Sequence, residues 1–263
     1  ALLGAPRPAR SGDFFTTSLA MSARTDTEEM RSTLLAVLDH ATRAGAAAAD
    51  AVMVESSAFA AGVRLGAVEK LTHARERRLG LRVFAGASSA ITATADLSRG
   101  GLERFAADAV ALARVTAPDP LAGLPEPTAL ATDTPELDLY DDAAATPNPE
   151  QALAQARAAE GAALAADPRL SNSEGAEFSQ DASTIGYAST LGFAGSYRRS
   201  SFHLGVEPVA THEGAMQRDF WYARARHLAH LEDPIAIGQR AAARTLRRLG
   251  ARRVKTQEAP VVF

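Results

Sequence analysis

Two histidines, His227 and His230, stand three residues apart in the segment HLAH. On a helix this spacing places both rings on one face, where their nitrogens could ligate a metal ion. The common zinc peptidases carry HExxH, in which a glutamate on the same helix activates the bound water. No such string occurs in this sequence. We therefore interpret the two histidines as surface or interface residues, and we predict no metal ligand and no catalytic residue in this chain.

Three further polar segments fit no catalytic or binding motif. The segment SNSEGAEFS, Ser171–Ser179, lacks the GxSxG pattern of a serine nucleophile, so we interpret it as a polar turn leading into a hairpin. The adjacent Asp141 and Asp142 lack the spacing of a calcium loop. The basic run RTLRRLGARRVK, Arg244–Lys255, could hold phosphates. Its position on the solvent face and last turn of a predicted helix favours a structural role, because cations there complement the helix dipole.

The segment GAMQRDFWYARARH, Gly214–His227, holds the only tryptophan of the chain between two other aromatic residues. As a strand, it would place Met216, Arg218, Phe220, Tyr222, Arg224 and Arg226 on one face, and Gln217, Asp219, Trp221, Ala223, Ala225 and His227 on the other. Neither face is purely apolar, unlike those of a simple core strand. The segment is therefore either a structural strand with packed arginine stems or a binding surface. The candidate binding residues are Arg218, Asp219, Trp221 and Tyr222.

Composition excludes several classes of protein. The 263 residues carry a formal net charge of -3, which gives no support to nucleic-acid binding. The absence of cysteine excludes disulfides and thiolate ligands within these residues. No apolar run approaches the roughly 20 residues that cross a bilayer, and residues 1–20 lack the apolar core of an export signal. We therefore expect a cytoplasmic protein with neither membrane nor nucleic acid as a partner.

Caps and hydrophobic spacing indicate the elements that position these residues. We expect residues 1–20 to be disordered or foreign to the fold. One helix is predicted from an N-cap at Asp26 to Gly45, and a second over 98–115. Helical spacing predicts an inner stripe on each: Met30, Leu34, Leu38 and Ala41 on the first, and Leu102, Phe105, Ala106, Ala109, Leu112 and Ala113 on the second. A hairpin turn is predicted at Gly86–Ala87. Four strand-like runs lie between the two helices: Ala51–Ser56, Gly62–Thr72, Leu79–Ala85 and Ser89–Ala95.

Proline and cap residues organise the second half of the chain. Seven prolines fall within Ala117–Glu150, which predicts a linker or an extended wrap because proline fixes φ and removes a backbone donor. Two more helices are predicted after N-caps at Asn148 and Asp233, with strand-like pieces over 169–228 between them. The predicted inner stripe of the last helix is Ile235, Gly238, Ala242, Leu246 and Leu249. The final APVVF, Ala259–Phe263, has the composition of a buried strand.

Long helices around antiparallel hairpins predict an α+β fold, with antiparallel sheets of hairpins flanked by long helices. Both halves run in the order helix, strands, helix, which is consistent with an internal duplication into two related α/β layers. We predict an N-terminal α+β domain over 21–116, a proline-rich linker over 117–148 and a central α+β domain over 149–263. We expect the central domain to be truncated before a C-terminal domain.

The sequence contains several long strings in a fixed order: GAVEKLTHARERRLGLRVFAG, APDPLAGLPEP, SNSEGAEFS, TLGFAGSYRRSSF, GAMQRDFWYARARH and RRLGARRVKTQEAPVVF. Together they resemble the TldD/PmbA family, also called modulators of DNA gyrase, over roughly Thr27 to Phe263. The strings MQRDFWY and KTQEAPVVF are most similar to the PmbA branch, also called TldE. Family members are commonly longer than this chain, so the resemblance implies the N-terminal part of a longer protein.

The resemblance implies a cytoplasmic metallopeptidase system for unfolded peptides. In the TldD branch, a metal held through an HExxxH motif performs the cleavage. The PmbA branch lacks those ligands and pairs with a metal-bearing TldD-like subunit, as a heterodimer that encloses a proteolytic chamber. The HExxxH motif lies after the strand that matches APVVF, so no metal ligand carries over to this chain. We therefore expect no cofactor here and a divalent metal, zinc, in the partner subunit.

On this interpretation the segment Gly214–His227 forms a chamber wall or the dimer seam. Trp221 and Tyr222 would supply flat contact area, and Arg218 and Asp219 would fix the geometry. Two other functions stay open at this point: a non-enzymatic binding or scaffold protein that keeps the fold, and a modulator of DNA gyrase that contacts DNA directly.

Overall fold

A computed structural model describes residues 12–131, 134–253 and 255–262, with side chains from Thr27 onward. The helices are α1 (Gly12–Arg43), α2 (Arg99–Val115), α3 (Pro149–Leu164) and α4 (Pro234–Arg247). The strands are β1 (Ala48–Arg64), β2 (Ala67–Ala85), β3 (Ser88–Thr94), β4 (Leu170–Ser189), β5 (Ala194–His212), β6 (Ala215–Arg218) and β7 (Trp221–Ala225). Short 3-10 turns cover Pro127–Ala129, Asp142–Ala144 and Leu228–His230.

Neighbouring strands follow the order β3-β2-β1-β4-β5-β6, and β7 also pairs with β5. The pairs β2–β3, β5–β6 and β5–β7 are antiparallel. This arrangement confirms the predicted α+β class. The chain divides into two compact units, built from separate segments of the sequence. The first unit comprises Ala1–Ser56, Arg75–Asp138 and Ser183–Arg198; the second comprises Ser57–Ala74, Leu139–Ala182 and Arg199–Phe263. The domain boundaries predicted from the sequence stay predictions.

Helix α1 starts at Gly12, well before its predicted cap at Asp26. Neither proline nor glycine occurs between Gly12 and Gly45, so nothing in the sequence interrupts the helix. Of the residues predicted to be disordered, 1–11 lie outside the described residues, and 12–20 belong to α1. The helix ends before Gly45, whose φ of 95° suits glycine, as predicted.

The core of the first unit lies between α1, α2 and the strands. The predicted α1 stripe is confirmed, since all its members are buried: Met30, Leu34, Leu38 and Ala41. Ser98 caps α2 by accepting a hydrogen bond from the Gly101 N–H. The predicted α2 stripe is wrong at Leu112, which is 47% exposed, while Val110 is buried in its place. The inner face of α2 therefore includes a residue two positions before the one that the spacing predicted.

One of the predicted strands is wrong. The run Gly62–Thr72 is not one strand, because β1 and β2 form a long hairpin whose turn is Leu65–Gly66. Both turn residues have positive φ, 49° at Leu65 and 76° at Gly66, as a two-residue hairpin turn requires. The predicted turn at Gly86–Ala87 is confirmed by the pairing of Ala85 with Ser88.

The Leu65–Gly66 turn of the second unit is held by a buried carboxylate. Glu160 of α3 is 1% exposed, and its two oxygens accept hydrogen bonds from the N–H groups of Leu65 and Gly66, at 2.9 and 2.8 Å. Arg157, one turn earlier on α3, donates to the Gly66 carbonyl at 3.0 Å. The pairing of a buried charge with two backbone donors explains why an ionisable residue is tolerated in this core.

We expect Glu160→Ala to lower the free energy of unfolding by about 2–3 kcal/mol, because it leaves two amide donors without their acceptor. Urea denaturation of the full-length protein measures the loss, and amide exchange should accelerate at Leu65 and Gly66. Glu150→Ala, at an exposed position in the first turn of the same helix, should change stability by no more than about 0.5 kcal/mol. Equal losses in the two variants would contradict the role of Glu160.

The segment SNSEGAEFS, predicted to be a turn, lies inside β4. Its alternation is interrupted at Gly175, which has a φ of 115°, so that Ser173 and Ala176 are both buried although they are three residues apart. The polar composition suggested a turn. Instead, the positive φ of Gly175 lets β4 continue with the inward-facing positions displaced by one residue.

The predicted caps of α3 and α4 are confirmed. Asn148 accepts from the Gln151 N–H at 3.1 Å, and Asp233 accepts from the N–H groups of Ile235 and Ala236 at 2.9 and 3.1 Å. The predicted inner stripe of α4 is wrong at Ile235, which is 44% exposed, whereas Ile237 is fully buried.

Helices α3 and α4 approach each other closely at Gly238. A Cβ atom added there would lie against the Ala159 carbonyl oxygen, 2.9 Å from the Ala162 Cβ and 3.0 Å from the Ala163 N. The facing surface of α3 is made of small buried residues: Ala152, Ala156, Ala159 and Ala163. Small residues on both helices let the two backbones come into contact.

The final segment differs from its prediction as a buried strand, because Val261 and Val262 are 71% and 96% exposed. Residues 255–262 form no regular element and pair with no strand among the described residues. Within the described part of the chain, no helix is both long and apolar enough to cross a membrane.

Candidate functional site

The aromatic segment, predicted to be one strand, forms two short strands that both pair with β5. Val209 faces Arg218 of β6, and Val206 faces Trp221 of β7, so the register is unchanged across the break at Asp219 and Phe220. Pro208 of β5 lies at this break and has no N–H to donate to the ladder. The proline in β5 therefore explains why the strand opposite it is divided.

A side chain from α4 fills the break in the ladder. The buried Thr245 hydroxyl lies 3.3 Å from the Pro208 carbonyl and 3.2 Å from the Asp219 carbonyl, and it also accepts from the Asp219 N–H at 3.2 Å. The Asp219 N–H thereby gains an acceptor, and the single hydroxyl hydrogen is shared among these two carbonyls and that of Ala241, at 3.0 Å. Thr245 thus connects α4 to the edge of the sheet.

Solvent exposure alternates along the two short strands, as expected from the two faces that the sequence predicts for this segment. One face is exposed: Met216, Arg218, Phe220, Tyr222, Arg224 and Arg226. The other face is only partly exposed: Gln217, Asp219, Trp221, Ala223, Ala225 and His227. The four candidate residues are therefore divided between the two faces, with Arg218 and Tyr222 outside and Asp219 and Trp221 inside.

Asp219 connects the edge of the sheet to the C-terminal part of α4. Its side chain, 11% exposed, lies 3.1 and 3.3 Å from the Arg244 guanidinium and 3.9 Å from that of Arg248, and accepts from the Phe220 N–H at 2.9 Å. Burial acts to raise the pKa of Asp219, but the hydrogen bonds from Phe220 and Arg244 and the positive charges outweigh it and lower the pKa. Arg244 and Arg248 of the basic run therefore contact the carboxylate of Asp219, besides lying near the C-terminal end of α4 as predicted.

Trp221 packs beneath two arginines of the same helix. The guanidinium carbons of Arg240 and Arg244 lie 4.9 and 5.5 Å from the centroid of its ring, within the range of a cation–π contact. The Trp221 Nε1 approaches Glu232 at 3.5 Å, and Glu232 in turn pairs with Arg240 at 3.3 Å. The structure thus gives Trp221 a packing role on its inner face, which the sequence did not indicate.

The exposed face carries an aromatic shelf formed by Phe220, Tyr222 and His203. The rings of Phe220 and Tyr222 are stacked with centroids 6.1 Å apart, and His203 lies 5.4 Å from Tyr222. Phe220 and Tyr222 are each about half exposed, at 51% and 52%. An exposed stack of this kind offers a flat surface for an apolar or cationic ligand.

The aromatic shelf borders a groove of about 360 Å³ on the sheet of the second unit. Residues without side chains keep it open: Gly205 faces Tyr222 across the strands, and a Cβ on Gly205 would lie 3.1 Å from His203 and 3.3 Å from Tyr222. The charged residues that line it come from three strands: Glu69, Lys70, Glu174, Glu177 and Glu207. Helices α3 and α4 pack in the core cluster of this unit and supply no residue to the groove.

Ion pairs link the charged residues of the groove. Arg218 lies 3.5 Å from Glu174 and 3.4 Å from Glu207, and Lys70 lies 2.8 Å from Glu177. Of these paired residues, sequence analysis identified Arg218. It missed Lys70, Glu174, Glu177 and Glu207, because the strands that carry them are distant along the chain. The available signal was the alternation in HLGVE, which places His203, Gly205 and Glu207 on one face of β5.

The surroundings of His203 favour the neutral form of its imidazole. Burial lowers the pKa of His203 below its ordinary value, and the charge of Arg224 lowers it further, while Glu177 and Asp181 act in the opposite direction. The imidazole is therefore uncharged at neutral pH, and it contributes an aromatic surface to the groove rather than a positive charge.

The described residues do not form a metal site. His227 and His230 have ring centroids 5.5 Å apart, and the Nδ1 of His227 lies 3.9 Å from Asp141. Asp141 is itself a structural acceptor, for the N–H groups of Leu228 and Ala143 at 2.8 and 2.9 Å. Among the described residues no group of three or more histidine, aspartate or glutamate side chains could hold a metal ion. No chemical step is therefore assigned to a metal held by these residues.

Solved structures share the fold. The chain matches a protein from Bacteroides thetaiotaomicron, named as a modulator of DNA gyrase, with a TM-score of 0.81 and 26% identity, over 87% of this chain and 52% of that one. It also matches TldE from Thermococcus kodakarensis with a TM-score of 0.70 and 13% identity, over 81% of this chain and 47% of that one. At that identity the second match shows the fold alone.

Sequence comparisons identify the family. The models of the PmbA/TldA metallopeptidase central domain and domain 1 match residues 142–249 and 49–113. The chain is 32% identical to the metalloprotease PmbA homolog of Haemophilus influenzae over 236 residues, 90% of this chain and 52% of the relative. It is 31% identical to metalloprotease PmbA of Escherichia coli O157:H7 over 249 residues, 94% and 55% of the two chains. The chain belongs to the TldD/PmbA metallopeptidase family, and it spans about half the length of these relatives.

Proposed function

We propose that this chain is the PmbA/TldE-type subunit of a cytoplasmic metallopeptidase complex that cleaves unfolded peptides. Its partner is a metal-bearing TldD-like subunit, and the divalent metal, zinc, belongs to that partner. This chain holds the substrate and forms a wall of the chamber. The single observation that carries the proposal is the open groove on the sheet of the second unit, bordered on one side by exposed aromatic side chains of the edge strand.

The edge strands support a role in holding extended peptides. Among the described residues, β6 and β7 pair with β5 alone. An unpaired strand edge offers backbone donors and acceptors to an extended peptide, which gives affinity without demanding a particular sequence. Alternate side chains of such a peptide would point toward the same face as Phe220 and Tyr222. A peptidase for unfolded chains needs this combination of backbone and side-chain contacts.

Contacts between α4 and the inner faces of β6 and β7 hold the aromatic shelf in place. Asp219 and Thr245 attach the break between β6 and β7 to α4, and Trp221 packs against arginines of that helix. The shelf residue Phe220 is the neighbour of both Asp219 and Trp221, so its backbone is held from both sides. Of the four predicted site residues, the proposal has Arg218 and Tyr222 meet the peptide and Asp219 position the surface. Trp221 lines the groove and packs against arginines of α4.

The test is a peptidase assay with the full-length protein, the TldD-like subunit of the same organism, and their mixture, on an unfolded peptide. We expect turnover in the mixture and none with the full-length protein alone. The double variant Phe220→Ala/Tyr222→Ala should lower kcat/KM of the mixture by roughly tenfold, since truncating a central aromatic contact commonly costs more than 1 kcal/mol.

Tyr197→Ala provides a matched control, because Tyr197 is also about half exposed, at 50%, but belongs to the first unit and does not line the groove. It should leave turnover unchanged. Pairing without turnover would favour a scaffold role instead, and salt-sensitive DNA binding by the full-length protein would favour direct contact with DNA. Full activity of this protein without the partner would reject the proposed division of labour.

A further inference from the structure

The groove carries more negative than positive charge. Four carboxylates line it, those of Glu69, Glu174, Glu177 and Glu207, against a single lysine, Lys70. Arg218 adds one cation at its border, but that guanidinium is shared between Glu174 and Glu207. Two carboxylate charges are therefore not compensated by the cations of the groove.

Glu69 is the carboxylate best placed to meet a ligand. It is exposed, lines the groove, and takes part in no ion pair within the described part of the chain. Its Oε2 lies 3.8 Å from the position that a Cβ on Gly175 would occupy, so the missing side chain at Gly175 leaves the approach open. Lys70, the next residue on β2, is already paired with Glu177 at 2.8 Å.

Two other charges act near the shelf and do not alter this balance. Arg224 faces His203 across the strands, and Asp181 acts on the same histidine with the opposite sign. His203 itself is neutral near pH 7, since burial and Arg224 keep its pKa low. The surroundings therefore leave the net negative charge of the groove in place.

We infer that the groove takes extended peptide segments that carry lysine or arginine side chains, seated between the Phe220–Tyr222 stack and the carboxylates of Glu69 and Glu207. Carboxylates attract the charged head of such a side chain, and an aromatic face binds both its apolar stem and its cationic end. An acidic peptide would face uncompensated like charge in the same place. The inference deepens the proposed function, on which it rests, by naming the class of peptide.

The test is direct binding, measured by fluorescence anisotropy with the full-length protein and no partner. The probes are short fluorescein-labelled peptides of glycine, serine and threonine that carry central lysine, glutamine or glutamate residues and are otherwise identical. We expect the lysine peptide to bind about five- to tenfold more tightly than the glutamine peptide, and the glutamate peptide to bind most weakly. The preference should shrink as salt rises from about 0.05 M to about 0.5 M, because salt screens exposed charges.

Three variants separate the groove from the general field of the protein. Glu69→Gln and Glu207→Gln should each reduce the preference for lysine over glutamine by at least about twofold. Glu213→Gln is the matched control: its side chain is 85% exposed at the turn between β5 and β6, outside the groove, and it makes the same change in charge. It should leave the preference unchanged.

The outcomes distinguish this inference from the proposed function. Equal binding of the lysine and glutamine peptides, or an equal loss in Glu213→Gln, overturns the inference. If no peptide binds although the assembled complex turns over substrate, the inference fails while the proposed function stands. If the lysine preference and its loss in Glu69→Gln are found without any turnover, the groove specificity holds and the peptidase role fails.

Discussion

Replacing Gly238 with alanine should lower the free energy of unfolding by about 3 kcal/mol, the largest stability effect that we expect from a single methyl group in this chain. The new Cβ would lie against the Ala159 carbonyl, 2.9 Å from the Ala162 Cβ and 3.0 Å from the Ala163 N. Two of these contacts are with backbone atoms, which cannot rotate away. Helices α3 and α4 would have to separate, and the surrounding core would lose contact with both.

The matched control is the same substitution on the other helix of the pair. Gly161 lies on an exposed part of α3, and an added Cβ would meet no atom within 4 Å. Since alanine favours helix more than glycine does, Gly161→Ala should be neutral or stabilise the protein by up to about 1 kcal/mol. Urea denaturation of the full-length protein and its two variants measures the difference. Changes of the same sign would show that Gly238 is not a packing requirement.

The second large effect is expected at Asp219, where Asp219→Ala should cost about 2–4 kcal/mol. The substitution leaves the Arg244 guanidinium, whose side chain is 35% exposed, without its carboxylate and removes the acceptor of the Phe220 N–H. Because the folded pKa of Asp219 lies below its unfolded value, this stabilisation is complete near neutral pH. It is lost as the pH falls through the folded pKa.

Thermal unfolding at pH 7, compared with unfolding at acidic pH, measures this prediction. The difference in Tm between the wild type and Asp219→Ala should shrink as the carboxyl group is protonated. Asp39→Ala removes a carboxylate from an exposed pair with Arg43, at side-chain exposures of 53% and 71%, and should cost no more than about 0.5 kcal/mol. If Asp219→Ala costs as little as Asp39→Ala, the carboxylate does not hold the edge to α4.

Cap residues made the helices predictable from the sequence. Asn148 and Asp233 were recognised because their side chains act on amide groups two or three residues away, and the structure shows those hydrogen bonds. Inner faces were harder to predict, because α2 buries Val110 where Leu112 was expected and α4 buries Ile237 where Ile235 was expected, two residues away in each case. Local chemistry determines where these helices begin, whereas packing decides which residues they bury.

The strands were harder to predict because their limits depend on distant residues. The division between β6 and β7 arises from Pro208 in the neighbouring strand and from the hydroxyl of Thr245 in α4. Nothing within the aromatic segment itself indicates that division. The alternation of its faces could still be predicted, since period two is a property of the local backbone. The groove could not, because its charges come from strands far apart along the chain.

The buried Glu160 has a consequence for how the chain is made. Its carboxylate accepts from amides 95 and 94 residues earlier, at Leu65 and Gly66. A ribosome adding about 5–20 residues per second needs roughly 5–20 s to travel from the turn to its acceptor. During that interval the tip of the first hairpin has emerged, but its amides have only water as a partner. Contacts so distant in sequence also slow folding, because the loop between them must close before they form. The tip of the hairpin should therefore become ordered on the nascent chain only after α3 has been made.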